Sequence, residues 1–128
     1  MGGFVTNYQA GGRYDFPFMP TKTNPFIKGI RVPVTNDMGV ATHTYIVGHE
    51  RAELVSIAIA ASRYEDLDNW SLYVNDRLMI DEIYTKELPE GMYLMVLVKL
   101  LKGDSIKFEF RNSSLTSKSV WLNYQMLV

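Results

Sequence analysis

The clearest pattern of hydrophobic and polar positions lies near the carboxyl end of the chain, over residues 106–111. Apolar side chains alternate there with charged ones. Successive side chains of a strand point to opposite faces, so this alternation predicts a β-strand with one face on a core and the other in water. The predicted core-facing residues are Ile106, Phe108 and Phe110.

Four more runs in this half of the chain predict strands. Residues 120–127 alternate in the same way, and residues 70–74 and 78–80 flank the turn pair Asn75-Asp76, which is typical of a β-hairpin. Residues 92–100 are apolar at both odd and even positions. A strand with two apolar faces is typical of the middle of a sheet, so we expect a central strand there.

The first half of the chain is less regular. Two β-rich runs, residues 27–34 and 42–47, flank Asn36-Asp37-Met38-Gly39, and we expect them to pair as a hairpin. Residues 50–62 fit a helix with Leu54, Val55, Ala58 and Ala61 on one face, or a buried strand with β-branched residues at every second position. The strand is favoured.

These runs amount to about seven or eight short strands at spacings of roughly 8–12 residues, with turn residues between them. Nothing in the pattern suggests the helix and strand alternation of a parallel sheet. We therefore expect an all-β domain over residues 27–128, an antiparallel β-sandwich of jelly-roll type.

Residues 1–26 differ from the rest. They contain four glycines and three prolines, and the segment as a whole follows neither strand nor helix spacing, so regular structure is not expected. Yet they carry more large aromatic residues than a solvated linker would. We interpret the segment as an extended N-terminal arm that binds a partner through Phe4, Tyr8, Tyr14, Phe16 and Phe18.

Composition narrows the function. The 128 residues are 47% hydrophobic and 21% charged, which is typical of a globular domain. A formal net charge of -1 is too small for the positive surface that binds phosphate backbones, so nucleic acid is not an expected partner. The apolar runs fall short of the roughly 20 residues of a membrane span, so no membrane partner is expected either.

Few residues have the chemistry of an active site. The chain has no cysteine, and only His43 and His49 would titrate near neutral pH. His43 falls within a predicted strand and His49 in a turn, where structural or solvated roles are the simpler interpretation. We therefore expect no enzyme activity, no cofactor and no metal. The acidic run at residues 65–69 could supply calcium ligands, but it lacks the EF-hand spacing, and a solvated loop is favoured.

A second set of aromatic residues falls opposite the predicted core positions: Tyr73, Tyr84, Tyr93 and Trp121. Such rings stack on sugars when they form an open platform. They can equally form a second buried layer or be covered by neighbouring subunits, and this second interpretation is favoured. These four residues are the candidate ligand or subunit contacts of the sandwich.

Residues 69–75, 83–91, 103–110 and 120–124 together resemble small structural proteins of tailed bacteriophages. The resemblance covers about the last seventy residues and leaves out the arm. It implies a compact β-sandwich that serves as a non-enzymatic building or decoration unit of the virion. It also implies that Trp70 and Trp121 are core or inter-sheet anchors and that Gly91 and Gly103 are turn residues.

The expected function is therefore that of a virion structural protein, as a capsid decoration or a component of the neck, tail or baseplate. We expect it to join copies of itself and other virion proteins as a homo-oligomer, through its N-terminal arm and the faces of the sandwich. The alternative is a carbohydrate- or receptor-binding module.

Overall fold

The computed structural model describes residues 20–85 and 90–128, with the backbone alone over residues 90–97. Eight strands lie within these ranges: β1 (Pro25–Val34), β2 (Val40–Ile46), β3 (Arg51–Ala61), β4 (Asn69–Val74), β5 (Arg77–Tyr84), β6 (Glu90–Leu101), β7 (Ser105–Arg111) and β8 (Lys118–Leu127). None of the described residues forms a helix long and apolar enough to cross a membrane.

The strands form two four-stranded antiparallel sheets packed as a sandwich. The first sheet has the order β1-β8-β3-β6, and the second has the order β2-β7-β4-β5. Most consecutive strands lie in different sheets, so the chain crosses repeatedly from one to the other. This is the jelly-roll arrangement, and it confirms the expected fold class.

The core lies between the sheets and is rich in aromatic rings. Trp70 is 1% exposed, and its ring centroid lies 5.8 Å from that of Phe108. Phe110 stacks beside Phe108 at 6.3 Å. The predicted core face of residues 106–111 is therefore confirmed, because all three of its apolar side chains are fully buried.

Residues 51–61 form a strand, which confirms the favoured interpretation of that segment. The ambiguous pattern has a physical cause at Val55, where the register with β6 and β8 shifts. The core-facing positions are Ala52 and Leu54 before the shift, and Ile57 and Ile59 after it. A step of three between Leu54 and Ile57 imitates helical spacing.

The expected hairpin of residues 27–34 and 42–47 is wrong. β1 pairs with β8 in the first sheet, whereas β2 pairs with β7 in the second. Residues 35–39 therefore cross between the sheets, and the Asn112 amide holds this crossing by donating to the Met38 carbonyl at 3.0 Å. The same kinds of turn residue occur in hairpins and in crossings between sheets, so the sequence pattern does not distinguish the two.

The expectation of a central strand at residues 92–100 is also wrong, because β6 lies at the edge of the first sheet. Its register with β3 jumps from Leu54 opposite Val98 to Ser56 opposite Tyr93. Four residues of β6 thus lie opposite one residue of β3, and apolar residues at consecutive positions need not mean two covered faces. Gly91, expected in a turn, lies within β6, opposite Ala58.

The other expected turns are confirmed where the structure describes them. Asn75 and Asp76 join β4 to β5 with φ angles of 49° and 65°, the left-handed values of a tight hairpin turn. Gly103 has a φ of 95° between β6 and β7, as a turn glycine should.

Regular structure begins earlier than the sequence predicts. β1 starts at Pro25, so the boundary expected between residues 26 and 27 falls inside a strand. The backbone amide of Val128 donates to the carbonyl of Asn24 at 2.7 Å, which extends the contact with β8 by one more residue. The proposed contact residues of the arm, Phe4 to Phe18, lie outside the described residues.

Candidate binding surfaces

Two of the four candidate aromatic residues lie on the outer face of the second sheet. Tyr73 is half-buried, and the Lys107 ammonium group lies 4.8 Å from the centre of its ring. Tyr84, at the end of β5, is 45% exposed. Lys107 thus covers the ring that would otherwise be open for stacking.

Trp121 lies on the opposite side of the molecule, on the outer face of the first sheet. It is 41% exposed, because its neighbours Val120 and Leu122 point into the core. The expectation that Trp121 is a core anchor is therefore wrong, while Trp70 does fill that role. Tyr93 contributes its backbone to β6, and its side chain lies outside the described residues. The described candidates are split between two faces and do not form one platform.

A row of small side chains crosses the outer face of the first sheet. The strand register places Gly29 beside Asn123, and Asn123 beside Ala58. We call these three residues the first-sheet trough. A Cβ atom at Gly29 would lie 3.3 Å from the Asn123 Oδ1 atom, so glycine leaves room for that amide at the floor of the trough.

On β8, the larger side chains of Trp121 and Gln125 flank Asn123 on the two sides of the trough. Along one border, Trp121 lies between Arg31 and Ala60 in the register. Along the other, the Ser56 hydroxyl donates to Gln125 Oε1 at 2.5 Å. The trough and its two borders together therefore present an exposed indole ring and neutral amide and hydroxyl groups.

Glu53 lies on the same face, one step further along the strands, and binds the chain that enters β1. Its carboxylate accepts hydrogen bonds from the Thr21 amide at 3.0 Å, the Thr21 hydroxyl at 2.7 Å and the Lys22 amide at 3.1 Å. We call this arrangement the Glu53 clamp. It fixes residues 21 and 22 over the outer face of β3.

The clamp also sets the ionisation of Glu53. Burial raises the pKa of this carboxyl group, but the hydrogen bonds from Thr21 and Lys22 and the positive charge of Lys99 outweigh burial and lower the pKa below its ordinary value. Only 3% of Glu53 is exposed, and it lies on an outer face, so the covering layer is the entering chain rather than the core. The charged form is thus the one that holds the chain.

The outer face of the second sheet has a different character. The Arg111 guanidinium group donates to Asn69 Oδ1 at 2.6 Å, to Glu109 Oε1 at 2.7 Å and to the Ser71 hydroxyl at 2.6 Å. Asp81 lies 3.9 Å from the same group. The guanidinium group is thus occupied by neighbouring side chains, which favours a rigid polar surface over a site for a charged ligand.

Within the acidic run at residues 65–69, Asp68 has a structural role. Its carboxylate and the Lys118 ammonium group form an ion pair in which both side chains are fully buried. Ser114 also donates to Asp68, from its amide at 3.0 Å and its hydroxyl at 2.9 Å. A carboxylate so occupied is not a calcium ligand, and it is not solvated either, so neither interpretation of Asp68 holds. Within residues 20–85 and 90–128, no group of three or more His, Asp or Glu residues is arranged to hold a metal ion.

The two histidines lie in unlike places. His43, half-buried on β2, borders a groove of about 350 Å³ between the edges of the two sheets. Its lining contains no carboxylate: Arg31, Val32, Pro33, Met38, Val40, Ala41, Thr42 and His43. His49 packs edge-on against Phe26, with ring centroids 4.5 Å apart. Neither arrangement supplies an acid and base pair.

The roles of Glu53 and of the pair of Asp68 and Lys118 were not predicted from the sequence. Glu53 carried one signal, since it is a charged residue at the start of an otherwise apolar strand. Its partners are more than thirty positions away in the chain. Asp68 and Lys118 gave no signal, because Asp68 lies in a run of charged residues and Lys118 follows a polar stretch that is typical of an exposed loop.

Comparison with known families gives one assignment. Residues 22–128 match the family described as a domain of unknown function, DUF8551. The chain belongs to this family. The match begins at Lys22, so it includes all eight strands and part of the Glu53 clamp.

No curated protein matches the chain. Among solved structures, the GH26-CBM35 β-(1,4)-mannanase of Podospora anserina is similar, with a TM-score of 0.44 and 13% identity over 79% of this chain and 27% of that one. The dimeric latent PorU of Porphyromonas gingivalis is similar with a TM-score of 0.37 and 6% identity, over 88% of this chain and 14% of that one.

Proposed function

We propose that this chain is a non-enzymatic structural subunit of a tailed-phage virion, where it decorates the capsid or forms part of the neck, tail or baseplate. It joins neighbouring virion proteins or copies of itself through its N-terminal segment and the faces of its sandwich. The phage assignment is supported by the sequence resemblance over the last seventy residues. The mode of contact is supported by the Glu53 clamp.

The Glu53 clamp is the observation that most supports contact through the N-terminal segment. It fixes Thr21 and Lys22, which come shortly after residues 1–19 in the chain, on the outer face of the first sheet. Residues 1–19 contain five aromatic residues, which give this segment a large apolar surface for a partner. Extended arms with such side chains join subunits by filling pockets on a neighbour.

The first test asks whether the chain is present in particles. Mass spectrometry of purified virions of the encoding phage should detect it in a fixed ratio to the major capsid or tail protein. A chain that is produced during infection but absent from purified particles would refute the virion role.

The second test removes the arm without touching the sandwich. Residues 20–128 keep the Glu53 clamp and all eight strands, so this variant should fold with an unchanged circular dichroism spectrum. We expect it to be missing from particles when it replaces the full chain. Particles that incorporate residues 20–128 at the normal ratio would show that the arm is not the joining element.

The second candidate function is carbohydrate binding, and the first-sheet trough favours it. An exposed Trp121 ring next to the Asn123 amide on the same face of β8 offers both contacts that a neutral sugar requires, a stacking surface and hydrogen-bonding groups. Tyr73 and Tyr84 take no part, since they lie on the other face.

A matched pair of variants tests this candidate. Trp121→Ala should abolish any signal on a glycan array, whereas Tyr84→Ala, which removes a similarly exposed ring from the opposite face, should leave it unchanged. An array on which the intact chain binds no glycan would remove the carbohydrate function and leave the structural one.

A further inference from the structure

The open edges of the two sheets are protected to different degrees. Strand edges carry unpaired backbone groups that bind other strands, and proteins block them with proline, charge or bulges. In the first sheet, β1 contains Pro25 and Pro33 together with Lys28 and Arg31. At the other edge of that sheet, β6 has the bulge opposite Val55.

In the second sheet, one edge is protected and the other is not. β5 carries Arg77, Asp81 and Glu82, and its register with β4 shifts twice. β2 has the sequence Val-Ala-Thr-His-Thr-Tyr-Ile, without proline, Asp, Glu, Lys or Arg. Its seven residues pair with β7 in unbroken register, so its outer edge is straight as well as uncharged.

We propose that β2 of one subunit pairs antiparallel with β2 of a second copy, across a two-fold axis at His43. The pairing would join the second sheets of two subunits into one continuous eight-stranded sheet. An interface of this kind is self-complementary, as two-fold symmetry requires. The inference does not depend on the virion role, because it concerns the association of the purified chain.

The sequence of β2 selects the register. With His43 on the axis, Val40 lies opposite Ile46 of the partner subunit, and Thr42 lies opposite Thr44 of the partner subunit. Val40 and Ile46 are 52% and 55% exposed in the single chain, so this register covers the two exposed aliphatic side chains of the strand with each other. The pairing brings no like charges together, because β2 contains no Asp, Glu, Lys or Arg.

His43 is the residue at the centre of this register. Its Nδ1 atom is buried and has no hydrogen-bond partner among the described residues, although buried polar atoms are normally paired. On the axis, the ring would lie opposite its counterpart. Because atoms of the same chain already enclose Nδ1, the partner subunit would not supply its hydrogen bond, and the register rests on Val40 and Ile46.

Charge variants test both the interface and its register. In Val40→Lys with Ile46→Lys, lysines would lie opposite each other at both ends of the paired strands, and light scattering should show a monomer. In Val40→Lys with Ile46→Glu, the same register places opposite charges together, so the dimer should return. Leu78→Lys, at an exposed site on the β5 edge, is the control that should stay dimeric.

Any of three outcomes with the full-length chain would overturn the proposal, and one with a shortened chain would do the same. The three are an intact chain that is monomeric throughout a concentration series, a dimeric double-lysine variant, and a Lys and Glu variant that fails to dimerise while remaining folded. A dimer that is lost on removal of residues 1–19 would show that the arm, and not β2, occupies the edge. None of these results decides whether the chain is found in virions, so the two proposals can fail separately.

Discussion

The Lys118 ammonium group donates a hydrogen bond to the Asp68 carboxylate inside the sandwich, with both side chains fully buried. Asp68 directly precedes β4, and Lys118 is the first residue of β8, so the pair links the second sheet to the first. Ser114 donates to the same carboxylate, and the Phe110 ring lies 5.7 Å from the ammonium nitrogen. The polar cluster is thus enclosed by the protein.

Removing one partner of this pair should destabilise the fold strongly. Asp68→Asn or Lys118→Met leaves the other charge buried without its counter-ion, which typically costs about 3–5 kcal/mol. The exposed pair of Arg63 and Glu65 offers a control, because Arg63→Ala should change stability by less than about 1 kcal/mol. Urea unfolding measures both. Equal losses in the buried and exposed variants would contradict the importance of the buried pair.

Tyr124→Phe should leave stability unchanged or raise it by up to about 1 kcal/mol. The Tyr124 hydroxyl is buried without a hydrogen-bond partner in the described part of the chain, and burial raises the pKa of this group. Deleting the oxygen removes an unpaired polar atom and keeps the ring, which packs 6.1 Å from Tyr45. Thermal unfolding gives the answer, and a clear loss of stability would mean that the hydroxyl is paired.

The turn between β4 and β5 should respond oppositely to glycine at its two positions. Asp76→Gly relieves a left-handed conformation at φ 65° and should stabilise the protein by about 0.5–1 kcal/mol. Asn75→Gly should destabilise it, because the Asn75 side chain accepts a hydrogen bond from the Ser105 amide at 3.0 Å. Chemical denaturation of both variants checks the difference in sign.

The Glu53 clamp should open in acid. The folded-state pKa of Glu53 lies below its ordinary value of 4.5, so its contribution to stability is present above that value and is lost as the pH falls through the folded pKa. The NMR signals of the Thr21 and Lys22 amides should therefore shift together below about pH 4.5. In Glu53→Gln, this shared transition should disappear. Amide signals that titrate in the variant as before would contradict the assignment to Glu53.

The local sequence pattern predicted those strands and turns of the fold that depend only on residues close together in the chain. β7 was predictable because one of its faces is fully buried and the other carries Lys107, Glu109 and Arg111. The hairpin at Asn75 and Asp76 was predictable because both residues tolerate positive φ and the paired strands adjoin the turn.

Pairing between distant strands was not predictable. β1 lies beside β8, which begins more than eighty residues later, and nothing in residues 25–34 identifies that partner. The placement of the candidate aromatic residues was not predictable for the same reason. Trp121 and Tyr73 look alike as aromatic residues between core positions, and only the sheet order places them on opposite faces. Glu53 gains its role from residues that fold over it from outside the strand.

The antiparallel contact between Asn24 and Val128 determines how the domain responds to mechanical force. The two residues lie side by side, so tension between the N-terminal segment and the C-terminus would separate β1 from β8 one residue pair at a time, beginning at this contact. The four hydrogen bonds at Glu53 lie ahead of it on the pulled segment and would take the load first. A subunit held by its arm would therefore yield at Glu53 before its sheets come apart.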